Sequence, residues 1–139
     1  MGTITVKFVH FISYVYTLKL NEIKKKILFI DDEPALLELA PLLFRDYHVL
    51  ASSDAENVCA LISTFKPDII LVDVIMGLRD GVTVCREIKE NSEHAQIPVV
   101  LMTAGYLRER DKFSLADGFI EKPFDLEYTI GLIESITSK

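Results

Sequence analysis

Residues 27–34 read ILFIDDEP, in which four apolar residues run directly into two aspartates. A short, continuous apolar run bounded by polar residues is typical of a strand that is buried on both faces. The stretch DIILVD at 68–73 repeats this arrangement, with an aspartate directly after its apolar run. The full set of strand candidates has five members: ILFI (27–30), HVLA (48–51), IILV (69–72), VVLM (99–102) and GFIE (118–121).

Between these runs lie stretches whose apolar residues recur at helical spacing. They are Leu36, Leu37, Leu39, Leu43 and Phe44; Val58, Leu61, Ile62 and Phe65 behind an expected cap at Asp54; Val82, Cys85 and Ile88; and, from Asp125, Ile130, Ile133 and Ile136. A weaker segment after Thr103 predicts one short helix. Strands that alternate with helices form a parallel sheet covered on both faces, because parallel neighbours need crossover connections. We therefore predict a doubly wound α/β fold with a five-stranded parallel sheet.

Reactive side chains follow several of these strands. Asp31 and Asp32 come after the first strand, Asp73 after the third, Thr103 after the fourth and Lys122 after the fifth. In such folds the carboxyl ends of the strands meet at one edge, where ligands bind. Two carboxylates about 5 Å apart repel by roughly 3 kcal/mol at an effective dielectric constant near 20, so three together call for a cation.

Oxygen ligands without His or Cys favour Mg²⁺ or Mn²⁺, and Mg²⁺ in proteins commonly binds one or two carboxylates together with a phosphate. The predicted edge therefore suits phosphoryl chemistry. One carboxylate can act as a nucleophile and form an acyl phosphate, while the metal and a lysine neutralise charge on the transferring group.

Composition limits the class of protein. The 139 residues are 50% apolar and 26% charged, which is the profile of one compact domain that needs no disulfide. Residues 1–26 carry five Lys and one Glu, and the rest of the chain carries 10 basic and 20 acidic side chains. An acidic body argues against binding to nucleic acid, which requires a basic face. Nothing indicates an oxidising compartment, and we expect the chain to stay in the cytoplasm.

The first 26 residues differ in composition from the rest. A nearly apolar even-numbered row favours a strand: Ile4, Val6, Phe8, Ile12, Tyr14, Tyr16, Leu18 and Leu20. The segment is too short and too interrupted by polar residues to span a membrane. Three interpretations stay open, namely an extra strand or helix packed on the domain or on a second subunit, an anchor for a membrane surface or a partner, and a segment outside the working protein.

From residue 27 to 139 the sequence resembles the receiver domain of two-component response regulators, of the single-domain chemotaxis type. The motifs that carry the resemblance are ILFIDDEP, the DIILVDVIM strand with Asp80-Gly81 further on, Thr103-Ala104, and Lys122-Pro123-Phe124. The resemblance implies a flavodoxin-like strand order of 2-1-3-4-5. It also implies a division into an N-terminal extension, 1–26, and a receiver domain, 27–139.

The resemblance further implies a role for each residue of the acidic site. Asp73 would accept a phosphoryl group from the phosphohistidine of a partner kinase. Asp32 would ligate Mg²⁺ directly, Asp31 would act through water or as a second acidic ligand, and the backbone carbonyl of Ile75 would complete the protein's ligands.

Three more residues have roles by the same resemblance. Lys122 would pair with the phosphoryl oxygens, Thr103 would move to hydrogen-bond one of them, and Phe119 would swing inward as Thr103 moves. A core aromatic of an edge strand is an equally good interpretation of Phe119. The implied protein is a regulator that is phosphorylated and dephosphorylates itself, rather than an enzyme acting on a separate substrate.

The implied partners are a sensor histidine kinase or phosphotransfer protein and a downstream protein. A homodimer is a further hypothesis, through the N-terminal segment or through the surface formed by the helix after Thr103, the strand 118–121 and the last helix. The alternative is a pseudo-receiver, an interaction module that keeps the fold and works without phosphorylation. A related phosphatase is disfavoured, because its acid and base would be a second aspartate at position 75, which is Ile.

The sequence also departs from the family pattern. Met76-Gly77 stands where Met-Pro is common, and we expect the glycine to loosen the loop beside Asp73. Only 18 residues separate Thr103 from Lys122, which predicts a short or distorted helix there. Ile75 and Gly105 flank the site without a polar side chain that could position water, so we expect a long-lived phosphate.

Overall fold

The computed structural model describes residues 2–20, 23–105 and 115–138. Within these ranges the helices and strands are α1 (Gly2–Leu20), β1 (Lys26–Ile30), α2 (Pro34–Leu43), β2 (His48–Ser52), α3 (Val58–Phe65), β3 (Ile69–Asp73), β4 (Ile75–Met76), β5 (Arg79–Asp80), α4 (Gly81–Glu90), β6 (Val99–Thr103), β7 (Gly118–Glu121) and α5 (Leu126–Thr137).

Five of the strands form one parallel sheet in the order β2-β1-β3-β6-β7. Numbered along the chain within that sheet, this is the order 2-1-3-4-5, so the predicted fold is confirmed. The strand order reverses direction beside β1 and β3, which lie next to each other. Their carboxyl ends therefore form the edge at which an open α/β sheet binds its ligands.

The apolar core lies in two layers, one on each face of the sheet. Alternate residues of β1 divide between them: Leu28 and Ile30 pack in the layer that contains α3 and α4, and Ile27 and Phe29 pack in the layer that contains α2 and α5. All four side chains are fully buried. Burial on both faces explains why the strands are continuous apolar runs rather than alternating ones.

The N-terminal segment forms a helix and not the predicted strand. Alternation favoured a strand, but Gly2–Leu20 form the helix α1, whose side chains from Gly2 to Leu18 are all exposed. A strand without a neighbour leaves its backbone N–H and C=O groups unpaired, whereas a helix pairs them internally. None of the helices in the described ranges has the length and apolar character that crossing a bilayer requires.

Two smaller expectations also change. The helix α3 begins at Val58 rather than behind Asp54, and the Asp54 carboxylate instead accepts hydrogen bonds from Asn57 in the preceding turn. The short helix expected after Thr103 falls on residues 106–114, which lie outside the described residues.

Candidate functional site

Two aspartates meet where the neighbouring strands β1 and β3 end. Asp73 is the last residue of β3, and Asp31 follows β1 directly; the register Ile30 opposite Val72 puts these two residues side by side. Asp31 is fully buried and Asp73 is 6% exposed. The parallel register thus brings together two carboxylates that are 42 residues apart in the sequence.

Asp32 completes a group of three carboxylates. One carboxylate oxygen from each of Asp31, Asp32 and Asp73 lies within 4.8 Å of the others. Asp32 itself is exposed, so the group opens to solvent on its side. This donor set fits a hard divalent cation such as Mg²⁺, because its oxygens are anionic, close together and reachable from water.

Lys122 lies inside the same group. Its Nζ is 2.6 Å from Asp31 Oδ2 and 3.2 Å from Asp73 Oδ2, so one ammonium bridges two buried carboxylates. Burial alone lowers the pKa of Lys122, but the hydrogen bond and charge of Asp31, with those of Asp73, outweigh burial and raise this pKa above its ordinary value. The lysine is therefore a permanent cation at neutral pH.

The pKa of Asp73 is raised from its ordinary value. Burial is the largest cause and the negative charge of Asp31 is the next, while Lys122 and the backbone N–H of Ile75 act in the opposite direction. The Asp73 carboxylate is therefore poorly solvated and repelled by its neighbour. A carboxylate in this position is stabilised when a divalent cation binds beside it or when it loses its charge.

Thr103 ends β6, the strand next to β3, and it is 7% exposed. Its backbone carbonyl accepts a hydrogen bond of 2.8 Å from the N–H of Lys122. Its hydroxyl accepts from the N–H of Gly105 at 3.2 Å. Thr103 and Lys122 also line one cavity of about 190 Å³, together with Ala104, Gly105 and Glu121.

Ile75 contacts the acidic group directly, whereas Phe119 lies on the edge strand β7. The N–H of Ile75 donates to Asp73 Oδ1 at 3.4 Å, and its side chain is 71% exposed. Phe119 lies on β7 opposite Leu101, where it is half-buried and packs against the layer that contains α3 and α4. The structure therefore has Phe119 as a packing residue of the edge strand, and its proposed movement stays a prediction.

The segment after Asp73 pairs with itself. Residues 75–80 form the antiparallel hairpin β4–β5, with Gly77 and Leu78 at its turn, and the loosening expected from the glycine stays a prediction. The N–H of Gly77 donates to Asp32 Oδ2 at 2.9 Å. This donor was not among the predicted site groups, although the absence of proline at position 77 is the signal in the sequence that an N–H is available there.

Comparison with known proteins agrees with the geometry. Residues 27–134 match the family model described as the response regulator receiver domain. Over 116 residues the chain is 33% identical to the DNA-binding dual master transcriptional regulator RpaA of Synechocystis sp.. The aligned region covers 80% of this chain and 48% of RpaA. The chain thus spans about half the length of this relative.

Solved structures share the fold. The chemotaxis protein CheY4 of Vibrio cholerae is 21% identical, covers 81% of this chain and 98% of its own, and has a TM-score of 0.74. The receiver domain of sensor histidine kinase PA1611 from Pseudomonas aeruginosa, with a magnesium ion coordinated in its active-site cleft, is 21% identical, covers 84% of this chain and 99% of its own, and has a TM-score of 0.75. With the family model matching more than three quarters of its length, the chain belongs to the response regulator receiver domain family.

Proposed function

We propose that this chain is the phosphoacceptor of a two-component signalling pathway, in which Asp73 takes a phosphoryl group from the phosphohistidine of a partner kinase. The observation that carries the proposal is the position of Lys122, whose ammonium bridges Asp31 and Asp73 within a group of three carboxylates. Phosphoryl transfer to a carboxylate needs a nucleophile and a cation that neutralises the transferring group, and both are present here. We keep residues 27–139 as the proposed domain and 1–26 as its extension.

The proposed transfer uses one oxygen of Asp73 as the nucleophile. This oxygen forms a bond to phosphorus while the bond from phosphorus to the histidine nitrogen breaks, and that nitrogen keeps the electron pair. Lys122 then pairs with the phosphoryl oxygens in place of the Asp73 carboxylate. The Thr103 hydroxyl, which among the described residues bonds to the backbone of Gly105, is proposed to turn towards a phosphoryl oxygen, with Phe119 moving into the space it leaves.

The proposed metal ligands are the carboxylates of Asp32 and Asp73 and the backbone carbonyl of Ile75. Asp31 would act through water or as a second acidic ligand, since it already accepts hydrogen bonds from Lys122 and from the N–H of Glu33. Mg²⁺ or Mn²⁺, when bound, neutralises negative charge on the phosphoryl oxygens during transfer.

Phosphorylation by a small donor tests the proposal. Incubation with acetyl phosphate and Mg²⁺ should add the mass of one phosphoryl group, measured by mass spectrometry of the intact protein, and Asp73→Asn should abolish the gain. The exposed Thr17, on α1, provides a control, because Thr17→Ala should keep the full gain. No gain in the unaltered chain would favour the alternative, an interaction module that works without phosphorylation.

The same sample gives the lifetime of the phosphate. Neither the exposed Ile75 side chain nor Gly105 can hold a water molecule near Asp73 by a polar side chain, so decay in Mg²⁺ should take many minutes. A lifetime of seconds would contradict this expectation.

Two classes of partner follow from the proposed function. A histidine kinase or phosphotransfer protein supplies the phosphoryl group, and a downstream protein binds the surface that changes when Thr103 moves. Both kinds of exchange would take place in the cytoplasm. The acidic body of the chain disfavours nucleic acid as a direct partner.

A second copy of the chain is the partner we propose for α1. Ile4, Phe8, Phe11, Val15 and Leu18 recur at spacings of four and three residues and are between 38% and 79% exposed. This spacing is the apolar row of a two-helix coiled coil. A helix rich in β-branched and aromatic residues is unstable alone in water. We therefore expect the apolar row of α1 to be buried against another helix. The surface near β7 and α5 is the other contact that a homodimer could use.

A further inference from the structure

We infer that the backbone N–H of Gly77 positions the Asp32 carboxylate for the metal ion, through a hydrogen bond that proline at this position could not make. The inference rests on the proposed function, because it assigns a role within the proposed metal site. Gly77 is a positioning residue in this scheme, and the atom that acts is its amide nitrogen rather than a side chain.

The hydrogen bond itself is the first observation. Gly77 N lies 2.9 Å from Asp32 Oδ2 and joins residues 45 positions apart in the sequence. Among the described residues it is the only hydrogen bond to the Asp32 carboxylate. Asp31 and Asp73, by contrast, are held by Lys122. Without the Gly77 amide, the exposed Asp32 side chain would rotate among several staggered conformations.

The hairpin geometry explains why glycine is at this position. Ile75 pairs with Asp80 and Met76 with Arg79, which leaves a two-residue turn whose first residue, Gly77, has φ of +23°. Two-residue hairpins favour positive φ at the first turn position, which glycine adopts without steric cost. A Cβ added at Gly77 would lie 3.7 Å from Asp32 Oδ2, an ordinary contact. The backbone angle, and not crowding, is therefore what favours glycine.

The hairpin is held in place at its base. Arg79 Nη1 donates to the carbonyl of Ala55 at 3.0 Å and its guanidinium also pairs with Glu87. The N–H of Gly81 donates to the carbonyl of Val74 at 2.9 Å. These contacts fix the turn relative to the end of β3, so the Gly77 amide presents its hydrogen to Asp32 from a defined direction.

The consequence concerns how readily the site accepts a cation. The bond fixes the orientation of the Asp32 carboxylate, whose oxygens keep lone pairs available to a metal ion. Hydrogen bonds that orient a metal-binding side chain are typically worth about 10-fold to 100-fold in metal affinity. Proline lacks the N–H and fixes φ near −65°, so it would remove both the donor and the turn angle.

Magnesium titration of three proteins tests the inference. Backbone amide chemical shifts from nuclear magnetic resonance would give the Mg²⁺ dissociation constant for the unaltered chain, Gly77→Pro and Gly77→Asn. Asparagine keeps the N–H and tolerates positive φ, so its dissociation constant should stay within about 2-fold of the unaltered value. The Gly77→Pro constant should rise about 10-fold.

Each other outcome has a distinct meaning. Equal or tighter Mg²⁺ binding by Gly77→Pro overturns the inference and leaves the proposed function standing. An unaltered chain whose Asp31, Asp32 and Asp73 amides do not respond to Mg²⁺ overturns the metal site and the inference together.

Proline at position 77 could weaken Mg²⁺ binding by distorting the hairpin, so a second measurement leaves the hairpin sequence unchanged. Hydrogen exchange of the Gly77 amide should be slow in the unaltered chain and several-fold faster in Asp32→Ala. The amide of Leu78, the next residue in the turn, is the internal control and should be unaffected. Exchange at Gly77 that does not respond to Asp32→Ala would overturn the inference.

Discussion

At the scale of single residues, the site has more negative charge than its one lysine balances. Lys122 contacts Asp31 and Asp73, while burial and the charge of Asp31 raise the pKa of Asp73. Without a metal ion, the ionised Asp73 carboxylate therefore costs folding free energy. Lys122 stabilises the folded state, because its positive charge compensates the negative charges of two buried carboxylates.

Two substitutions should separate these effects in Mg²⁺-free buffer. Asp73→Asn removes the unfavourable charge and keeps the size of the side chain, so the free energy of unfolding should rise. Lys122→Met should lower it by about 3 kcal/mol, because it leaves Asp31 and Asp73 buried without a cation. Urea unfolding measures both. An Asp73→Asn protein less stable than the unaltered chain would show that its contact with Lys122 outweighs the cost of the charge.

At the scale of elements, the turn from the hairpin β4–β5 into α4 positions the carboxyl end of β3. Asp80 caps α4 by accepting a hydrogen bond of 2.8 Å from the N–H of Val82. Gly81 comes next and packs against the backbone after β3, where an added Cβ would lie 2.1 Å from the carbonyl oxygen of Asp73. The close approach of these two backbones requires glycine at position 81.

A matched pair of glycine substitutions tests this packing. Gly81→Ala should lower the free energy of unfolding by about 3 kcal/mol or more, since the backbone of β3 or α4 must shift. Gly131, on the exposed face of α5, has nothing within 4 Å of an added Cβ, so Gly131→Ala should raise stability by about 0.5 kcal/mol. Thermal unfolding compares the two. Equal effects of both substitutions would contradict the close approach at Gly81.

At the scale of the whole molecule, α1 is separate from the two-layer core. The helices α3 and α4 cover one layer of the core, and α2 and α5 cover the other. The described side chains of α1 are exposed. Large exposed apolar rows on a soluble domain commonly mark an interaction surface. The proposed cover is the α1 of a second copy of the chain.

Light scattering after size-exclusion chromatography should show a dimer for the full chain and a monomer after deletion of residues 1–22. Phe11→Lys, inside the proposed row, should also yield monomer, because a charge at the centre of a helix pair is buried without a partner. Val9→Lys is the matched control outside the row and should remain dimeric. A monomeric full chain, or a Phe11→Lys protein that stays dimeric, would contradict the proposal.

Much of the fold was predictable from local patterns. The five apolar runs became the five strands of the sheet with bounds that agree within about one residue, and the strand order is confirmed. The wrong prediction of a strand near the N-terminus concerned a segment whose state depends on its neighbours. Apolar alternation in residues 1–20 favoured a strand, yet none of the strands in the described ranges pairs with this segment. The effect of the glycine at position 77 on the flexibility of the hairpin stays a prediction.

The sequence by itself determined the alternation of strands and helices and put Asp31, Asp73, Thr103 and Lys122 at or next to the ends of strands, because periodicity and strand ends are local properties. Only the tertiary structure decided which of these groups touch. Lys122 meets Asp31 across 91 residues and Gly77 meets Asp32 across 45. Contacts at such separations arise from strand register and from the hairpin turn, and residue types along the chain do not specify either to the precision of a hydrogen bond.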